Sequence, residues 1–268
     1  MSVAVQRFRV RARSGAELAC VRFGRGEPLL YLHALAYSKE HAAAAADILG
    51  ASFDCVAFDQ RGHGETRGGG AAPDVELDAM ADDACAVMDH ASWSRAVVGG
   101  TSMGAAVALR VALRHPERVS ALVQDLPAFG PRSPRGAERS LRIAEALETG
   151  DLEEGARRAT DGLSGKRAEA LARELLGQWR HFEAAELGPK LAAAFRGTSR
   201  WCVLDDWPDG LARIRVPTHL IALEGDASHP WEVAQTMAAH IPGARLVRRV
   251  PTLDPRKSFA QWVALLGA

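Results

Sequence analysis

Gly100, Ser102 and Gly104 lie within the run Val98-Gly99-Gly100-Thr101-Ser102-Met103-Gly104-Ala105-Ala106, a serine with glycine two residues away on either side. A short β-branched run, Ala96 to Val98, precedes it, and a largely apolar segment from Met103 to His115 follows, with Arg110 and Arg114 one turn apart. That order reads as strand, tight turn and half-buried helix. A serine on so sharp a turn needs neighbours without bulky Cβ groups, because strand and helix must approach closely. Its hydroxyl would then stand at the carboxyl end of a sheet, beside a helix N-terminus that favours developing negative charge, and its chemistry would be nucleophilic attack on a carbonyl. The plainer reading is a Gly-rich turn that only packs, so the elements around it carry the argument.

Those elements alternate. Val3 to Ala12 and Leu18 to Phe23 alternate polar and apolar about a turn at Gly15, as an antiparallel hairpin does. Pro28 to Leu32 is a continuous apolar run, the mark of a strand covered on both faces, and ends at His33-Ala34-Leu35-Ala36-Tyr37-Ser38. A helix is expected from about Lys39 to Leu49, then a strand from Phe53 to Phe58 ending at Asp59-Gln60-Arg61-Gly62-His63-Gly64. The glycine-rich segment Arg67 to Pro73 is loop and lacks the spacing of a phosphate cradle. Asp74 reads as the N-cap of a helix whose core stripe includes Leu77, Met80, Ala84 and Val87, with the pair Asp82-Asp83 on its solvated face.

A further strand, Val119 to Val123, ends near Asp125, and from Arg132 to about Trp207 no strand-like run occurs. That region reads as about four helices broken at Gly150, Gly162, Gly165 and Gly188. Strand from Val216 to Leu223, helix from Trp231 to Ile241, strand from Ala244 to Val250 and helix from Ser258 to Leu266 complete the chain. The fold class is α/β: a mostly parallel twisted sheet with helices on both faces, residues 1–130 and 211–268 forming the core and 131–210 an inserted all-helical cap. In such sheets chemistry collects outside the carboxyl ends of the strands, where His33, Asp59, Ser102, Asp125 and Asp226 fall.

Composition narrows the partners. Lysine plus arginine and aspartate plus glutamate are both 33 of 268 residues, with no long block of one sign, which argues against nucleic acid or an anionic membrane and for a small-molecule substrate. Oligomeric state is not legible. The four cysteines are scattered and read as reduced. Met1 to Ala12 has no apolar h-region and no stretch approaches a membrane span, so a cytoplasmic protein is expected. No histidine pair has metal-ligand spacing with other donors, so no metal and no cofactor are expected.

Four motifs in order carry a resemblance: His33-Ala34, Asp59-Gln60-Arg61-Gly62-His63-Gly64, the turn at Ser102, and Val216-Pro217-Thr218 leading to Asp226 and His229-Pro230. Over nearly its whole length the chain resembles an α/β-hydrolase-fold protein of the serine-nucleophile, helical-cap type. The resemblance implies Ser102 as nucleophile, the backbone N–H groups of Leu35 and Met103 as oxyanion hole, and Asp226 as the acid that orients a base. It gives His33 a packing role in the oxyanion turn and His63 a bracing role in its loop. Trp179, Phe182, Trp201 and Trp207 either roof the pocket or anchor the cap helices.

One part of the pattern fails. The family's base is a histidine in the loop after the last strand, here Pro251-Thr252-Leu253-Asp254-Pro255-Arg256-Lys257, and no histidine follows His240. A serine hydroxyl without a base is a poor nucleophile. His229, three residues past Asp226, and His33, beside the oxyanion turn, are the candidate substitutes; the plainer roles are helix cap or pocket wall for His229 and turn packing for His33. Three functions follow: a hydrolase of an ester, lactone or related carbonyl, a lyase, cyclase or isomerase that uses the site without covalent chemistry, or a silent small-molecule-binding protein. The retained elbow, oxyanion turn and acid favour the hydrolase.

Overall fold

The computed structural model describes residues 3–69, 71, 74–127, 134–161, 165–182, 186–226 and 228–267. Eight strands, β1 (Val5–Arg11), β2 (Glu17–Gly24), β3 (Glu27–Leu32), β4 (Phe53–Phe58), β5 (Ala96–Thr101), β6 (Val119–Asp125), β7 (Thr218–Ala222) and β8 (Arg245–Arg248), form one sheet in the order β1-β2-β4-β3-β5-β6-β7-β8. β1 pairs antiparallel with β2 and β2 with β4; the other neighbours are parallel.

The apolar runs are strands because their alternate residues serve two cores. Leu30 and Leu32 of β3 and Val56 and Phe58 of β4 face one cluster with α3 (Leu77–His90), α4 (Met103–Arg114) and Met237 of α9 (Trp231–His240). Leu29, Tyr31, Cys55 and Ala57 face the other, with α1 (Glu40–Ala43), α2 (Ala46–Leu49) and Phe259 and Trp262 of α10 (Pro255–Leu266). Period-two side-chain alternation makes both faces apolar only when both are covered.

Helices α5 (Pro134–Glu148), α6 (Leu152–Ala159), α7 (Gly165–Trp179) and α8 (Leu187–Thr198) lie between β6 and β7. They hold a third core, including Ile143, Leu147, Trp179, Phe182, Leu191 and Phe195, which packs on Ala36 of the turn after β3. Trp201 and Trp207 belong to the main core instead. The expected start of this insertion at 131 and the break at Gly162 lie outside the described residues.

Three local expectations are corrected. The segment 39–49 is two four-residue helices rather than one, because the backbone leaves helical geometry at Ala45, with φ −121° and ψ 27°. Asp74 does not cap α3: the helix starts at Leu77, and Glu76 occupies the cap position without a side-chain bond. Asp83 is buried, 2% exposed, where a solvated face was expected. It lies three residues after Met80 and four before Val87, on the core face, and Arg61 Nε and Nη2 reach its two carboxylate oxygens at 2.5 and 2.8 Å. The four cysteines are free thiols.

Candidate active site

Ser102 joins β5 to α4 with φ 53° and ψ −109°, a left-handed conformation that costs a non-glycine residue energy and holds its side chain away from the strand. Its neighbours show why they are glycines. A Cβ on Gly104 would lie 2.0 Å from the Leu32 carbonyl oxygen, and one on Gly100 would lie 2.2 Å from the Gly104 backbone. The Ser102 N–H donates to the Asp125 carbonyl at 2.8 Å, tying the turn to the end of β6.

The loop after β7 brings an imidazole to this serine. His229 Nε2 lies 2.9 Å from Ser102 Oγ, and His229 Nδ1 lies 3.1 Å from Asp226 Oδ2. Asp226 Oδ1 also accepts from the Ser228 and His229 backbone amides, at 2.9 and 3.3 Å, which closes the four-residue loop on its own carboxylate. Burial works to raise the Asp226 pKa, but the His229 ring and these amides outweigh it and hold the carboxyl at about 2. An ionised carboxylate can only accept, so the Nδ1 proton faces it, which leaves Nε2 as the acceptor of a hydrogen bond from the Ser102 hydroxyl.

His33, the other candidate base, is not brought to the serine. Its ring is fully buried, with Nδ1–H donating to the Ala34 carbonyl at 2.8 Å and Nε2 accepting from the Gln60 N–H at 2.9 Å. Burial, with neighbouring His63, lowers its pKa well below the usual imidazole value, so both lone-pair and proton positions serve the backbone. His63 is used the same way: Nδ1–H donates to Arg61 O and Nε2 accepts from the Ala36 N–H, the two rings meeting edge to face 5.0 Å apart. Burial pushes the His63 pKa down to about 4.

Together these two rings shape the turn after β3. Ala36 adopts φ 66°, its N–H held by His63 and its carbonyl by Trp179 Nε1 of α7 at 3.1 Å. The amides of Leu35 and Met103 donate to no described acceptor, unlike their neighbours Ala36 and Ser102. Two unpaired N–H groups, one directly after the serine and one in the turn after β3, are donors of the kind that can bind an oxyanion.

The loop after β8, the place where the family resemblance implies a histidine, is closed by Arg249. Its Nε lies 2.9 Å from Asp125 Oδ1, and it also donates to Thr252 O and Ser258 Oγ, both at 3.0 Å. Asp59 is consumed likewise, taking Lys39 Nζ at 2.8 Å and the Lys39 and Glu65 amides, each at 2.8 Å. Among the described residues no group of three or more His, Cys, Asp or Glu is placed to hold a metal ion, and no helix is long and apolar enough to cross a membrane.

Residues 27–200 match the family model described as alpha/beta hydrolase fold. A pimeloyl-[acyl-carrier protein] methyl ester esterase of Nitrosomonas europaea is 29% identical over 230 residues, covering 84% of this chain and 87% of that protein. A protein named as a carbamate hydrolase in Rhizobium rhizogenes is 28% identical over 207 residues, 75% of each chain. Among solved structures, a thermophilic esterase from Thermogutta terrifontis superposes with a TM-score of 0.80 at 25% identity, covering 97% of each chain.

Proposed function

The chain belongs to the α/β-hydrolase fold family, and on that premise we propose that it is a serine hydrolase acting on an ester, lactone or related carbonyl of a small metabolite. The observation that carries this reading is the 2.9 Å approach of His229 Nε2 to Ser102 Oγ, which supplies the base that the loop after β8 lacks.

In the proposed cycle the Ser102 hydroxyl proton passes to His229 Nε2 as Oγ attacks the carbonyl carbon. The carbonyl oxygen, now negative, is held by the Leu35 and Met103 amides, and Asp226 orients the ring and stabilises its positive charge. His229 then returns the proton to the departing alkoxide, leaving an acyl group on Ser102. Water, deprotonated by His229, attacks that acyl carbon and releases the acid, and Oγ recovers the proton from the ring. Helices α5 to α8 serve as the cap, with Trp179 fixing the Ala36 turn from above.

Fluorophosphonate labelling tests the reading, because the reagent modifies only a serine activated for attack. Covalent mass gain on Ser102, lost in Ser102→Ala together with hydrolysis of p-nitrophenyl esters, is the expected result. An unlabelled protein, or ester hydrolysis undiminished in Ser102→Ala, overturns it.

A further inference from the structure

Arg139 of α5 reaches from the helical insertion to the loop that carries Asp226 and His229. Its Nη1 donates to Ser228 Oγ at 2.7 Å and its Nη2 to the Ala159 carbonyl, while its Nε is buried with no hydrogen-bond partner. A guanidinium has five N–H donors in a planar fork, so three are unused by any described residue. No described carboxylate forms an ion pair with it. Other arginines of this chain are satisfied differently: Arg61 spans both oxygens of Asp83, Arg22 those of Asp54, Arg196 those of Glu148 and Arg256 those of Asp47.

A half-buried cation with an orphaned donor is costly, and such a group calls for an explanation. Burial lowers its pKa, and Asp161 and Asp226 act on it only from beyond ion-pair distance. Asp226 is not available to it as a partner, since both its oxygens are taken by the His229 ring and the Ser228 and His229 amides. Ser228 immediately precedes the histidine that touches Ser102, so the fork is bonded to the loop that carries the proposed base.

We propose that Arg139 selects substrates bearing a carboxylate, whose two oxygens complete the fork while the ester or lactone carbonyl of the same molecule faces Ser102. The planar guanidinium matches a carboxylate in a paired, two-bond geometry that a lysine or a hydroxyl does not reproduce. The inference rests on the reading of Ser102 as nucleophile and adds to it a substrate class: half-esters or lactones of acidic metabolites.

The test compares p-nitrophenyl monoesters of succinic, glutaric and adipic acid with uncharged p-nitrophenyl pentanoate. The native enzyme is expected to favour at least one anionic monoester in kcat/KM. In Arg139→Met that selectivity ratio falls about 10-fold or more, through the KM of the anionic ester, and Arg139→Lys recovers part of it. No preference in the native enzyme, or a ratio unchanged in Arg139→Met because both ester types lose equally, overturns the proposal and leaves Arg139 as a tether for the Ser228 loop. Calorimetric binding of glutarate to Ser102→Ala, with and without Arg139→Met, separates this inference from its premise. Binding weakened about 10-fold by the second substitution supports the carboxylate site even if no ester is hydrolysed, whereas binding that is absent or indifferent to residue 139 sinks it.

Discussion

Two regions of this molecule are built from the same side chains and put them to opposite uses. Around the turns after β3 and β4, His33, His63, Asp59, Arg61, Lys39 and Asp83 are all buried, each bound to a backbone group or an opposite charge. Beside Ser102, His229 and Asp226 are only part-buried, and their bonds run in a line from carboxylate through ring to hydroxyl. On the proposed mechanism, what separates a structural imidazole from a reactive one is the partner of its second nitrogen. In His33 and His63 that partner is a main-chain amide, which has no use for the proton; in His229 it is a hydroxyl that can give one up.

The widest test of that contrast is on rate. His229→Ala should lower kcat/KM for an activated ester by at least about 10³-fold while leaving the melting temperature nearly unchanged, since its ring lies in a part-exposed loop. If His229→Ala kept its activity and His33→Ala lost it in a fully folded protein, the assignment of the two rings would be reversed.

Next in size is the buried ion pair. Asp83→Ala leaves the Arg61 guanidinium, 5% exposed at its side chain, without its carboxylate, and should cost about 3–5 kcal/mol in urea unfolding. Its kcat per folded molecule should not change. A loss under about 1 kcal/mol would mean that water reaches Arg61 readily.

Smaller again is His33→Ala, which strands the Gln60 N–H and should cost about 1–3 kcal/mol by the same measurement. It should also raise KM or lower kcat modestly through a loosened Leu35 turn, an effect far below that of His229→Ala.

The remaining test changes no residue and varies only pH. His41 and His63 are both held down to about 4 by burial, and His33 is held well below its ordinary value. Between about 6.5 and 4 the unfolded chain therefore binds protons that the folded chain refuses, so stability falls as pH falls through that window. Each such histidine contributes about 1.4 kcal/mol per pH unit within it. Asp226, held at about 2, has the other range: its contribution is complete above about 4 and is lost only as pH falls toward 2. Urea midpoints taken from pH 7 to pH 4.5 should decline steadily, and a flat profile would show that the buried rings accept protons in place.

The sequence made much of this legible for a physical reason. Runs such as Pro28 to Leu32 can only be strands buried on two faces, and the glycine spacing about Ser102 answers to contacts of 2.0 and 2.2 Å that any Cβ would violate. Asp226 stands out by its place after a buried strand. Choosing between His229 and His33 was beyond local pattern, because both follow strands on the same sheet edge. Only the tertiary fold decides which ring spans 127 positions to reach Ser102 Oγ. Asp83 was misplaced because a charged pair at 82–83 looks solvated, although its spacing from Met80 and Val87 put it on the core stripe. Arg139 carried no signal at all: an arginine on an amphipathic helix reads as surface until the loop it meets is known.

Carboxylate and imidazole share a single stretch of four positions here, with Asp226 Oδ1 gripping the amides of Ser228 and His229. On the proposed mechanism such a stretch is a plug-in part: grafted after the corresponding strand of another sheet of this kind, it would carry general base and orienter across in one move. On that mechanism the last strand and helix carry no catalytic group; their part is packing, with Phe259 and Trp262 buried in the core and Arg249 tying the loop between them to Asp125 and Ser258.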